Sequence, residues 1–153
     1  APVDYAKAFE WYTKADAQHV ATSANSIGAL YYRGLGVKQD AAEAVRWFRK
    51  AAEAGAGVGA INLAGRLLSG EGVAEDAVEA RLWFEKAAAA TGTDDETLIV
   101  VAAARSLLGK IYEEGNGVEK DLVKALQLYG EAASRNEDAR RDFERLKARL
   151  SGD

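Results

Sequence analysis

The 153-residue chain contains no cysteine, no methionine and a single histidine, His19. Without cysteine there is no disulfide and no thiolate chemistry, and the redox compartment is left open. One histidine excludes a metal cluster built on histidines and cysteines, and a Ser-His-Asp triad would have to use His19, which reads instead as a surface or helix-end residue. Long apolar runs are missing too. The longest, "LIVVAAA" at 98–104, falls far short of the roughly 20 residues that span a bilayer. A basic excess is also lacking: the formal charge is −4 and the pI about 5.2, which argues against a nucleic-acid backbone as the main partner. The absent initiator fits processing, with Ala1-Pro2-Val3-Asp4 following a cleaved signal peptide, or a segment boundary.

What is present is a folded composition, 48% apolar and 29% charged, so whole-chain disorder is excluded. Within it a pattern recurs. The turns Gly34-Leu35-Gly36-Val37, Gly70-Glu71-Gly72-Val73 and Gly115-Asn116-Gly117-Val118 are offset by 36 and then 45 residues. The same offsets align Asp40, Asp76 and Asp121, with Asp4 36 residues before Asp40. They also align Ala8, Ala44, Ala80 and Ala125; Trp11, Trp47, Trp83 and Leu128; and Tyr12, Phe48, Phe84 and Tyr129. A period of this length marks a solenoid, propeller or array.

The local periodicity is helical. After Asp40 the apolar residues Ala41, Ala44, Val45, Phe48, Ala51 and Ala52 form one stripe of an amphipathic helix. Asp40 with Glu43, and Asp76 with Glu79, resemble capping boxes. Residues 24–33 form a shorter preceding helix, stopped by Gly34 at a left-handed C-cap, and the second glycine of the turn takes another positive φ. Each period is therefore two antiparallel helices. Gly28, Ala64 and Gly109 share a column in the first of them, which implies that the neighbouring helix passes too close for a larger side chain. Trp47, Phe48, Trp83 and Phe84 are expected in the core, because a hairpin can bury its aromatic column only against the next hairpin.

The combined pattern resembles the Sel1-like repeat, a relative of the tetratricopeptide repeat. It reads Ile27-Gly28-x-x-Tyr31, Leu63-Ala64-x-x-Leu67 and Leu108-Gly109-x-x-Tyr112, followed by Gly-x-Gly-Val, Asp, Lys/Glu-Ala, Trp-Tyr/Phe and Lys-Ala-Ala. The resemblance covers roughly residues 4–135, with Leu128 replacing the Trp, Glu131 the Lys, and His19 standing where Gly55 ends the next unit. It implies an all-α fold, a right-handed α-solenoid of antiparallel hairpins, in one repeat domain over residues 1–153. Residues 4–18 are the second helix of a partial repeat, 22–55, 58–91 and 93–135 are repeats, and 136–151 is a charged capping helix with Phe143, Leu146 and Leu150 on one side. Helix 4–18 has no upstream neighbour, so the chain is expected to be a fragment of a longer array or to self-associate there. Trp11 is expected to pack on the following hairpin. The third repeat is nine residues longer, and a start at Thr93-x-x-Glu96 predicts a first helix over about 95–114, a packed insertion or a partner-specific rim.

Apparent chemical motifs dissolve on inspection. Gly55-Ala56-Gly57-Val58-Gly59-Ala60 has the letters of a dinucleotide fingerprint but follows a helix rather than a strand, and Gly65 to Gly72 places Glu71 where a phosphate loop needs Lys. Neighbouring acids such as Glu113 with Glu114, and the run Asp94-Asp95-Glu96, suit solvation and helix starts better than paired catalysis. No catalytic, cofactor or metal residue is assigned.

The resemblance instead implies a scaffold or adaptor that holds a protein or peptide segment on the concave face formed by the first helices. Tetratricopeptide geometry puts Thr22, Asn25, Ala29, Tyr32 and Arg33 on that face, with Ile61, Gly65, Leu68 and Ser69, then Ser106, Lys110 and Glu113. Asn25 and Arg33 would hydrogen-bond a peptide backbone or carboxylate, and Tyr32 would anchor it. The context implied is a bacterial signalling or cell-envelope assembly, periplasmic or exported. Two rivals are an enzyme that binds or hydrolyses β-lactams, as some relatives of the repeat are linked to, and a structural spacer within a longer polypeptide. The β-lactam-linked relatives are rich in disulfides, which this chain cannot form.

Overall fold

In a computed structural model that describes residues 4–16 and 20–152, each second helix starts where the periodicity puts a polar cap. Asp40 and Asp121 accept hydrogen bonds from the backbone N–H groups of Glu43 (3.0 Å) and Lys124 (2.8 Å). The capping box is only half made. The backbone N–H of Asp40, Asp76 and Asp121 is already donated to the carbonyl of Tyr31, Leu67 and Tyr112 at 2.9–3.0 Å, so no glutamate is needed there. That bond ties the start of each second helix back to the first.

The described residues form eight helices and no strand: α1 (Tyr5–Asp16), α2 (Ala21–Arg33), α3 (Ala41–Glu53), α4 (Gly57–Ser69), α5 (Ala77–Ala88), α6 (Asp95–Glu114), α7 (Leu122–Ala132) and α8 (Glu137–Ser151). They fall into two compact units, one ending at Asp76 and the other beginning at Ala77. In the first, α2 packs on α1 and α3, and α4 on α3; in the second, α6 packs on α5 and α7, and α8 on α7.

The two glycines of a turn do different work. Gly70 (φ 68°) is the left-handed C-cap of α4, donating to the Arg66 carbonyl at 2.9 Å. Gly72 (φ 78°) has its α-carbon pressed against the backbone of Ala41 and Ala42 at the start of α3, where a β-carbon would overlap the Ala41 carbonyl. The same footing recurs at Gly36 on Tyr5 and Ala6, and at Gly117 on Ala77. Each turn thus rests on the first turn of the preceding second helix.

The small-residue column is explained, as expected, by the closeness of the neighbouring helix, chiefly its aromatic ring and at Gly28 also the Ala44 carbonyl. A β-carbon on Gly28 would lie 2.7 Å from the Phe48 ring, and one on Gly109 2.5 Å from the Tyr129 ring. Phe48 and Phe84 are buried as expected, at 4% and 1% exposure. Tyr129 is wholly buried, in a core with Ala102, Ala125, Ala132, Ala139 and Leu146.

The tryptophan column behaves differently. Trp47 and Trp83 are half-buried, and Trp11 is 68% exposed instead of packed on the following hairpin. On each ring lies the ammonium of the lysine three residues on: Lys14 at 5.1 Å, Lys50 at 4.9 Å and Lys86 at 4.9 Å. Lys50 also pairs with the buried Asp16 of α1 at 2.5 Å, so the Trp47 edge of α3 looks back toward α1. Phe9 makes the docking contact of α1, edge-on to Tyr31 at 5.6 Å.

Helix α6 spans Asp95–Glu114 as the insertion predicts, but its cap is Asp94, not Thr93: the Asp94 carboxylate accepts from the Thr97 backbone N–H and hydroxyl at 2.8 and 2.7 Å. Those bonds hold its pKa below the usual carboxylate range. The fingerprint-like Gly55–Ala60 is the α3–α4 connection, entered from a helix. In α8, Leu146 is fully buried, Phe143 partly, and Leu150 is 47% exposed.

The two kinds of glycine separate in unfolding experiments. Gly72→Ala lowers stability by more than about 2 kcal/mol, through its positive φ and the Ala41 contact. Gly65→Ala, in the α4 interior with open space around it, raises stability by about 0.5–1 kcal/mol. Urea unfolding followed by circular dichroism reads both.

Candidate functional site

The side chains expected on the first helices fall into two groups, one in each unit. In the first unit the face is built by α2 and α4. Asn25 is partly buried, and its Oδ1 accepts from Asn62 Nδ2 at 2.8 Å. Tyr32 is partly buried beneath the Arg66 guanidinium, 4.4 Å from the ring centroid, and its hydroxyl donates to Glu71 Oε2 at 3.3 Å. Arg66 in turn pairs with the same carboxylate oxygen at 2.5 Å. Arg33 is exposed and has no carboxylate partner among the described residues. Ile61 and Leu68 lie on α4, both partly buried. Ala29, Tyr32, Arg33, Phe48, Asn62 and Arg66 enclose a pocket of about 150 Å³.

The second group belongs to α6 with α8. Lys110 is exposed and has no acidic partner among the described residues. Glu113 is the hub of a network. Arg145 donates to its two oxygens at 2.8 Å each, the Tyr129 hydroxyl donates to it at 2.9 Å, and Arg149 stands 3.7 Å away. The Arg145 hydrogen bonds hold the Glu113 carboxyl below its ordinary range against the opposing effect of burial. Burial and the facing Glu113 push the Tyr129 phenol far up. A groove of about 550 Å³ opens beside this network, bordered by Lys110, Glu114, Lys120, Asp142 and Arg149. Ser106 requires correction: at 4% exposure it is buried and offers no binding surface.

Tyr32 and Glu113 occupy the same repeat column, and each meets an arginine of the next first-position helix, Arg66 or Arg145. Part of the expected binding column is thus used within the fold. Sequence reasoning missed Asn62, Arg66, Glu71 and Arg145; Asn62, Glu71 and Arg145 hydrogen-bond residues 32–39 positions away, and Arg66 pairs with Glu71 itself. The one signal available was the glutamate between the two glycines of the second turn. His19 lies outside the described residues.

A succession of helix pairs with a glycine footing, and with polar networks along its first-position helices, is the anatomy of a repeat array. The Sel1 repeat family matches residues 1–15, 21–55, 58–91 and 102–137, and the chain belongs to this family. A Sel1 repeat protein from Oxalobacter formigenes is similar at 30% identity and a TM-score of 0.81, over 94% of this chain and 56% of that one. The protective antigen c5321 of uropathogenic Escherichia coli strains, which displays an SLR fold, is similar at 34% identity and a TM-score of 0.83, over 95% of this chain and 29% of that one. The chain therefore spans about half and under a third of the lengths of these solved relatives. No curated protein matches it. Its fold class is the α-solenoid of helical hairpins. Sel1 repeat proteins generally mediate protein–protein interaction and act as noncatalytic scaffolds. No helix among the described residues is long and apolar enough to cross a membrane.

The Glu113 network gives a signed pH dependence. A depressed carboxyl pKa contributes stability that is fully present above the ordinary value of 4.5 and is lost as pH falls through the lower folded value. Glu113→Gln is expected to cost about 1–3 kcal/mol at neutral pH. It should also flatten the loss of stability on acidification below 4.5, read from urea midpoints measured over that range.

Proposed function

We propose that the protein is a noncatalytic adaptor that holds an extended segment of a partner protein on the exposed side of its first-position helices, within a bacterial signalling or cell-envelope assembly. The face of α2 and α4 carries most of the contact. One observation carries this reading: Arg33 and the Asn25–Asn62 pair present hydrogen-bonding capacity that the fold does not consume, around a preformed pocket. Most charged groups nearby are neutralised internally, as Arg66 is by Glu71. A surface already ordered by its own packing loses little entropy on binding, so modest contacts suffice for capture. Asn25, Tyr32, Arg33, Ile61 and Leu68 form the first contact set, and Lys110 with Glu113 a second.

Site-directed photocrosslinking tests the reading. A photoreactive residue in place of Ala29 is expected to give a discrete adduct with one partner in cells of the source organism, while the same residue at the exposed Arg46 of α3 gives none. Equal adduct patterns at the two positions would refute the assignment of this face.

A further inference from the structure

Two arginines, Arg33 and Arg66, line the α2/α4 pocket, and only one of them is paired with a carboxylate. Arg66 is paired with Glu71 at 2.5 Å, and the same carboxylate takes the Tyr32 hydroxyl at 3.3 Å. Arg33 on the opposite wall is left with no acidic partner among the described residues, in a chain whose net charge is −4. The free charge at the pocket is therefore a single positive one. A phosphomonoester, at about −1.5 to −2, would be undercompensated there, whereas one carboxylate is matched in charge and can take two parallel N–H bonds from a guanidinium.

Size points the same way. About 150 Å³ holds roughly five waters at about 30 Å³ each. That volume is below the range of about 300–1,000 Å³ typical of small-molecule pockets. It admits one side chain, and Ala29 in its lining is small enough to leave the space open.

The third observation is the amide pair. Asn62 Nδ2 donates to Asn25 Oδ1, which leaves Asn25 Nδ2 as a donor and Asn62 Oδ1 as an acceptor with no partner among the described residues. A donor and an acceptor side by side complement the C=O and N–H of an extended peptide. Asn25 and Arg33 are eight residues apart on one helix, about 12 Å at 1.5 Å per residue. An extended peptide covers that in three to four residues at about 3.3 Å each.

We propose that the α2/α4 pocket seats the side chain of one aspartate or glutamate of an extended peptide. Arg33 binds the carboxylate, and Asn25 with Asn62 holds the peptide backbone three to four residues away. The proposal rests on the adaptor reading and specifies the chemistry of its partner.

A displayed library of random 12-residue peptides, fused at both ends so that no free C-terminus is offered, is selected on the immobilised protein. Selected peptides are expected to share one acidic position. Replacing that residue by Gln or Asn, or introducing Arg33→Glu, lowers affinity at least tenfold, and combining Arg33→Glu with Lys at the acidic position restores it. Circular dichroism of the Arg33→Glu protein should show an unchanged melting temperature, since Arg33 has no partner in the fold to lose. Selected peptides that compete with one another, yet lack an acidic preference or ignore Arg33→Glu, overturn the carboxylate seat and leave the adaptor reading standing. Failure to select any peptide, together with the absence of a crosslink at position 29, overturns both.

Discussion

The structure depends on a backbone contact that tolerates no side chain. At Gly36, Gly72 and Gly117 the chain turns with positive φ directly on the first residues of a preceding helix. Everything repeated follows from that seat. The Asp four residues further on can begin a new helix because its N–H is taken by a carbonyl of the helix just left, while its carboxylate caps the next turn. The aromatic ring of that new helix then reaches back to the glycine or alanine of its partner and closes the hairpin. A backbone contact, two hydrogen bonds and a ring over a small residue together specify the unit, and none depends on the exposed residues that vary between units.

That division frees the exposed side of the first helices to differ. In the first unit the surface is an amide pair and a small cationic pocket. In the second it is a carboxylate held by two arginines and a tyrosine. Tyr32 and Glu113 share a column, yet the first is overlaid by an arginine paired with another carboxylate, and the second binds its arginines directly. A scaffold built in this way can change what it recognises without changing how it folds.

Much of the fold was legible in the chain because its determinants are local. Gly-x-Gly turns, an Asp at a fixed distance and the apolar stripe of Asp40 to Ala52 are all defined within about fifteen residues, which is the range over which helical periodicity speaks. The long α6 was readable for the same reason. Trp11 was misread because recurrence shows that a residue belongs to the repeat, not what covers it; Trp47 and Trp83 are partly buried, and the lysine three residues on lies over each ring. Ser106 was misplaced because its column was extrapolated from Asn25 and Ile61, which are only partly buried, to a residue with a side chain short enough to be covered completely. Arg145 and Asn62 were invisible for a different reason. Their partners come from another repeat, and no spacing rule links a helix to side chains one repeat away.

The glycine footing also bears on how order spreads through the molecule. Because the α2–α3 turn stands on Tyr5 and Ala6, and the α4–α5 turn on Ala41 and Ala42, each turn and the helix beneath it steady one another. Order that nucleates in one hairpin is therefore passed to its neighbour through the seat they share.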